Sequence, residues 1–277
     1  MKKLVVLLCA LLALGSSAQA LEVSAPSALL MEKETGTVLF AKDEHAKLEP
    51  ASVTKVMTLL LTMEAIDAGQ LHYDDVVTAS AHACSMGGSQ IWLKEQMTVS
   101  DMLKAVCVVS ANDCAVALAE TVAGSEEAFV ALMNRKAGEL GMKHTHFANC
   151  TGLTSPEHYS SAADLAVLLQ AALNNETFRT VFTTGQYTSS VTAQHPKGLY
   201  MASTLLSRLD GGEVTGGQIL GGKTGYTDAA GLCLASLAVV NEKEYILVTL
   251  GAPGNHATEQ TNIMDAVQVY RRLEKKK

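Results

Sequence analysis

The stretch ASVTKVMT, residues 51–58, carries a serine and a lysine three positions apart, Ser52 and Lys55. On a helix, residues i and i+3 share a face, so the lysine amine can reach the serine hydroxyl. Two chemistries fit: a capping serine with a solvated lysine one turn on, or a nucleophile with its base. The second carries a definite energetic demand. A helix N-terminus contributes only ~0.3–1 kcal/mol to an alkoxide, less than one unit at ~1.36 kcal/mol per unit, so the serine needs a base. Lys55 can be that base only as the neutral amine, about three units below its usual ~10.4, at a cost on the order of 4 kcal/mol. Burial together with a second cation supplies shifts of that size. Two more polar triplets lie downstream, Ser110-Ala111-Asn112 and Lys223-Thr224-Gly225. Alone, the first reads as a capping or turn element before DCAVALAE, and the second as a strand end with a glycine turn.

These groups need elements to hold them. Pro50 precedes Ser52, and Val56, Leu59, Leu60 and Met63 follow it at helical spacing. The pattern from Met102 to Ala119 and from Glu126 to Leu140 predicts further helices, with Gly124 and Gly141 as stops. SAADLAVLLQAAL, from Ser161 to Leu173, predicts a helix entered by a capping serine. Residues 176–200 are rich in Thr, Ser and Gln and show no clear period. Strand character lies at the two ends. SALLMEKETGTVLFAKD has two apolar runs around Thr35-Gly36, a hairpin signal. GLCLASLAVV (231–240), the turn NEKE (241–244) and YILVTLGA (245–252) predict two adjacent antiparallel strands, and a last helix fits 258–273, with cations at its C-terminal end. The order predicts one sheet completed from both ends of the chain, with a helical insertion over about 64–200.

The first twenty residues have the layout of a secretory leader: Lys2 and Lys3, an apolar core from Leu4 to Leu14, and Ala18-Gln19-Ala20 as a cleavage site. The apolar run is shorter than the ~20 residues that a spanning helix needs, and Cys9 lies inside it rather than at a cleavage point. Residues 21–277 are then one catalytic-sized domain, outside the cytoplasm and with no stable membrane anchor evident after cleavage. The formal net charge of the 277 residues is −7, and it deepens with loss of Lys2 and Lys3. Such a surface does not invite nucleic acid or anionic lipid, and no nucleic-acid partner is expected. Beyond the leader, Cys84, Cys107, Cys114, Cys150 and Cys233 are odd in number and predict no disulfide framework. His144, His146, Cys150 and His158 fall within fifteen residues and contain a His-x-His pair. No carboxylate that could orient these ligands is evident, so neither a metal nor another cofactor is expected.

In this order and spacing, S-x-x-K, S-x-N and K-T-G form the signature set of penicillin-binding proteins and class A β-lactamases. LEPASVTKVMT, GGSQIWLK, VVSANDCAVALAE, FANCTGL and GGKTGYTDAAGLCLASLA together resemble the low-molecular-weight penicillin-binding proteins, which are serine-type D-alanyl-D-alanine carboxypeptidases. The likeness runs from about Ala25 to Ala252. It implies a β-lactamase/transpeptidase-like α/β (α+β) fold, in which an antiparallel sheet flanked by helices carries an inserted all-helical subdomain. It also implies removal of the terminal D-alanine from peptidoglycan stem peptides through an acyl-enzyme, and covalent trapping by β-lactam antibiotics. By this resemblance Ser52 is the nucleophile, Lys55 its base with Lys223 as the second cation, and Ser110 the proton donor to the leaving D-alanine. Lys223 and Thr224 would bind the terminal carboxylate. Asn112 would hold the peptide backbone and keep Lys55 in place, and Gly225 would let the substrate lie edge-on along the strand. The backbone N–H groups of Ser52 and Tyr226 would form the oxyanion hole, each donor worth ~3–4 kcal/mol.

The sequence departs from the family pattern in two places. Members often carry Asn-x-Asn shortly before K-T-G, where this chain reads Met201-Ala202-Ser203. Many also place an arginine a few residues past the strand ending near Gly251. Here that stretch is PGNHATEQ, and His256 is its only candidate cation. The sequence also predicts no C-terminal β-rich domain and no membrane-binding helix of the kind many members carry. A class A-like β-lactamase is the nearest alternative, but between Asn112 and Lys223 no glutamate has an asparagine four residues on, as that chemistry requires. A catalytically weak wall-binding or regulatory protein is the other: the three intact motifs argue against it, and the missing arginine leaves it open.

Overall fold

GLCLASLAVV has no polar alternation, and it forms a strand buried on both faces. It is one of six antiparallel strands: β1 (Ser27–Glu32), β2 (Val38–Lys42), β3 (Glu213–Val214), β4 (Gly217–Thr227), β5 (Gly231–Val240) and β6 (Lys243–Ala252). Their spatial order is β2-β1-β6-β5-β4-β3, so both ends of the chain complete one sheet, as the pattern predicted. The computed structural model describes residues 21–273 apart from 95, 194 and 210–212. The expected leader lies outside the described residues.

Successive residues of each strand feed opposite layers. Cys233, Ala235 and Leu237 join Leu29, Met31, Ile246 and Val248 in the core shared with the helical insertion. Leu232, Leu234 and Ala238 join Leu30 and Leu247 beneath the C-terminal helix, where Ile263, Ala266, Val269 and Tyr270 cover them. The hairpins fall at Thr35-Gly36 and at Asn241-Glu242. The second is tighter than expected: Val240 already pairs with Lys243, and the two turn residues have φ of 49° and 66°. That is the left-handed pair that a two-residue hairpin requires.

The helices are α1 (Lys55–Asp67), α2 (Val99–Val108), α3 (Asn112–Ala123), α4 (Glu126–Glu139), α5 (Ala162–Ala172), α6 (Glu176–Phe182) and α7 (Thr261–Leu273). A single helical turn covers Ala81–Cys84, and two short ribbons pair residues 76–78 with 96–98 and 186–188 with 200–202. α1 is buried on nearly all sides, which makes it the central helix of the insertion. The predicted capping serine is in place, with Ser161 Oγ accepting from the Asp164 amide at 3.2 Å. One expectation fails: the apolar pattern from Met102 to Ala119 is not one helix. It breaks at Val109-Ser110-Ala111, where Ser110 adopts φ 64°, because a left-handed residue cannot continue a right-handed helix. The last helix starts at Thr261, three residues later than expected. Among the described residues no helix is long and apolar enough to cross a membrane, and all five cysteines are free.

Candidate active site

Ser52 sits in a 3-10 turn, Ala51–Thr54, that runs straight into α1. Ala51 has φ 45°, a strained conformation of the kind that persists only where neighbours impose it. The neighbour is the loop Asn149–Gly152. Gly152 packs so closely that a Cβ on it would stand 1.8 Å from the Ala51 carbonyl oxygen. Asn149 Oδ1 shapes this loop by accepting from the Thr151 amide (3.2 Å), the Thr151 hydroxyl (3.1 Å) and the Gly152 amide (2.7 Å). The loop then turns the Thr151 carbonyl onto Lys55 Nζ at 2.6 Å. Lys55 opens α1 fully buried, and its Nζ lies 2.9 Å from Ser52 Oγ. Burial first, and the charge of Lys223 second, hold its pKa well below the lysine range. This is the condition under which the amine can serve as a base.

The broken helix supplies the second wall. Ser110 projects from the left-handed break between α2 and α3, and its Oγ accepts from Lys223 Nζ at 2.9 Å. Lys223 is itself fully buried and also donates to the Thr224 carbonyl at 2.8 Å. Burial lowers its pKa to about 8. Lys55 bears both burial and the Lys223 charge, and both push it towards the neutral amine. Asn112 begins α3, with its amide held by the Ser89 carbonyl at 2.7 Å and its Nδ2 donating to Gly87 at 2.7 Å. Its Oδ1 is buried without a partner. Asn112 therefore does not hold Lys55 in place, as expected from the resemblance; the Thr151 carbonyl does. Asp113 fixes the facing loop by accepting from the amides of Ile91 (3.1 Å) and Leu93 (2.9 Å).

The third wall is β4. Lys223, Thr224 and Gly225 pair with Ala235, Leu234 and Cys233 of β5. On the outer side β3 pairs only with Gly217 and Gln218, so no described strand covers the edge from Lys223 to Tyr226. A Cβ on Gly225 would lie 2.9 Å from Ser52 N and 3.1 Å from the Pro50 carbonyl oxygen. The glycine is therefore required by the packing of β4 on the nucleophile turn, a reason different from the expected one of room for substrate. The same approach brings the Ser52 amide alongside the Gly225–Tyr226 backbone. Ser52, Ser89, Ser110, Thr204, Thr224 and Tyr226 line one narrow cleft, with Arg208 and His256 at its rim. Thr204 and Thr224 hydroxyls are 2.7 Å apart, and His256 packs edge-on against the Tyr226 ring at 4.6 Å.

Residues 15–254 match the sequence profile of D-alanyl-D-alanine carboxypeptidase. The chain belongs to that family. It is 43% identical over 257 residues to the D-alanyl-D-alanine carboxypeptidase DacF of Bacillus subtilis, a match covering 91% of this chain and 64% of the relative. The chain thus spans just under two thirds of that relative's length. Among solved structures, the DD-transpeptidase of Streptomyces K15 superposes with a TM-score of 0.80 at 27% identity, covering 91% of this chain and 99% of that one. Penicillin-binding protein D2 of Listeria monocytogenes, solved in an ampicillin-bound form, gives 0.76 at 26% identity, with 90% and 97% covered. The fold is that of the penicillin-binding and transpeptidase proteins.

All eight residues singled out in the sequence, Ser52, Lys55, Ser110, Asn112, Lys223, Thr224, Gly225 and Tyr226, converge within this cleft or directly behind it. The histidine-rich stretch does not converge. His144 lies beside Asp164, His146 Nδ1 meets the Glu157 carbonyl at 2.6 Å, and Cys150 is buried. Among the described residues no three His, Cys, Asp or Glu side chains are grouped to hold a metal. His158 is the informative member. Its Nδ1 accepts from the Ala148 amide at 3.0 Å, so Nε2 bears the proton donated to Thr54 Oγ1 at 2.7 Å. Burial first, then the His146 and Lys55 charges, push its pKa down to about 4. The sequence reading missed Thr151, Asp113 and Arg208. The Asn149–Gly152 turn carried a signal, since Asn and Gly three residues apart mark a tight loop. Arg208 carried none.

Proposed function

We propose that the chain is a serine-type D-Ala-D-Ala carboxypeptidase that trims the terminal D-alanine of peptidoglycan stem peptides. One observation carries this reading: a fully buried lysine amine 2.9 Å from the hydroxyl of a half-buried serine, with its pKa lowered by burial and by Lys223. An extended peptide adds to the uncovered edge of β4 as a further antiparallel strand. Its backbone N–H meets the unpaired Asn112 Oδ1. Ser52 Oγ attacks the carbonyl of the penultimate D-alanine and its proton passes to Lys55 Nζ. The developing oxyanion is held by the Ser52 and Tyr226 amides. Ser110 Oγ, held by donation from Lys223, keeps its own hydrogen for the leaving nitrogen, and the Lys223 ammonium replaces it. The peptide bond breaks, D-alanine departs, and water hydrolyses the ester at Ser52.

A β-lactam offers the same carbonyl in a ring whose amine cannot diffuse away, so it acylates Ser52 and stays. No resident cofactor enters these steps. We assign residues 1–20 to a cleaved leader and residues 21–277 to the catalytic unit, acting outside the cytoplasmic membrane. The test is to incubate residues 21–277 with a D-Ala-D-Ala pentapeptide and measure free D-alanine. Stoichiometric release that continues over many turnovers supports hydrolysis. No release, together with slow hydrolysis of penicillin, would favour the β-lactamase alternative.

A further inference from the structure

We propose that Arg208 is the cation that selects the free C-terminal carboxylate of the substrate, in place of the stretch after Gly251 expected to provide it. This rests on the carboxypeptidase reading above. A carboxylate entering a narrow cleft loses water and needs charged donors in return. The two buried lysines are poorly placed to meet it. Neither lines the cleft, and Lys223 already spends hydrogens on Ser110 Oγ and the Thr224 carbonyl. Among the described residues, the cations that line the cleft are Arg208 and His256. His256 is exposed and laid against the Tyr226 ring.

The turn bearing Arg208 is built to aim it. Ser203 anchors the turn: its Oγ accepts from the Leu205 and Leu206 amides at 3.3 and 3.2 Å, and its carbonyl accepts from the Ser207 amide at 3.1 Å. Leu205 is fully buried in the core under β4, and the Arg208 amide closes the turn on the Leu205 carbonyl at 3.0 Å. Thr204, four residues before Arg208, touches Thr224 Oγ1 at 2.7 Å. The turn thus presents the Thr204 hydroxyl, paired with Thr224 of β4, and a guanidinium to one cleft. Arg208 is exposed and makes no ion pair among the described residues, so its two-pronged fork is free for a carboxylate. In a chain of net charge −7, a cation at the mouth also draws in an anionic peptide.

The test compares kcat/KM for a D-Ala-D-Ala peptide with that for its C-terminal amide, and acylation by penicillin with acylation by its methyl ester. Wild type, Arg208→Ala, Arg208→Lys and His256→Ala are measured. Expected is a loss of about ten- to a hundred-fold in Arg208→Ala on the free acids, mostly in KM, with the acid-to-amide and acid-to-ester ratios collapsing towards one. Arg208→Lys recovers part of the discrimination and His256→Ala keeps it. Discrimination intact in Arg208→Ala overturns the proposal. Loss in His256→Ala instead would assign the site to the histidine. If wild type is acylated by neither penicillin nor its ester, the carboxypeptidase reading itself has failed.

Discussion

The two buried lysines make the pH dependence of acylation the most informative prediction. In the proposed mechanism, acylation requires Lys55 neutral and Lys223 charged. Lys55 sets the acid limb, since below its lowered pKa the amine is an ammonium and cannot take the Ser52 proton. Lys223 sets the basic limb near its own pKa of about 8. Above that the Ser110 hydroxyl loses its charged partner and its proton supply. Each further pH unit removes a factor of ten, so at pH 10 the rate should be about a hundred-fold below its plateau. Lys223→Arg should remove this limb. A guanidinium keeps its charge throughout, although a bulkier group in a fully buried slot lowers the plateau. The assay is the second-order acylation constant for a fluorescent penicillin between pH 5 and 10.

Stability should run the opposite way. The unfolded chain holds the Lys223 proton up to about 10.5 and the native protein releases it near 8. Protons bound in the unfolded state therefore exceed those in the native state, and stability rises by about 1 kcal/mol between pH 8 and 9 from this group. Above about pH 9 the buried thiols of Cys107, Cys114, Cys150 and Cys233, all pushed up by burial, act against it. Between pH 8 and 9 a fall in rate therefore does not come from loss of Lys223-linked stability. A wild-type rate level through pH 10, or a Lys223→Arg variant that still breaks near 8, would refute the assignment of the two lysines.

Lys55→Arg keeps the charge but cannot yield a neutral amine, so its acylation rate should fall ~10²–10⁴-fold, like Lys55→Ala; an arginine variant retaining a tenth of the rate would exclude the base role. His158 should weaken the fold in acid. Its pKa is about 4 in the native protein against 6.5 ordinarily, so between those values only the unfolded chain takes up the proton and stability falls as pH drops. Comparing urea unfolding at pH 7 and 4.5, His158→Gln should lose about 2–3 kcal/mol less than wild type, and identical pH slopes for the two proteins would contradict the buried neutral imidazole.

What the sequence showed depended on whether a signal was local. The hairpin at Thr35-Gly36, the Ser161 cap and the doubly buried strand 231–240 each follow from short patterns of residue type, and each is present. The break at Ser110 was masked because apolar residues continue on both sides of it; the contacts that hold it, Lys223 on the Ser110 hydroxyl and the Ser89 carbonyl on the Asn112 amide, come from far along the chain. Gly225 was legible as a glycine that matters, yet its reason, contact with Ser52 and Pro50, lies far along the chain. Thr151 acts through a carbonyl, which every residue has, so its identity gave no clue. Arg208 stands in a Ser- and Leu-rich turn without periodicity, and only the pairing of Thr204 with Thr224 brings it to the cleft.

The central claim is that Ser52, activated by Lys55, is the nucleophile. The most direct measurement is the mass of the protein and of its proteolytic peptides after a brief exposure to benzylpenicillin. One penicilloyl group per chain is expected, on the peptide containing Ser52. It should be absent from Ser52→Ala, whose circular dichroism should match wild type because only a hydroxyl is lost. An adduct on another peptide, or one that survives in the folded alanine variant, would contradict the account.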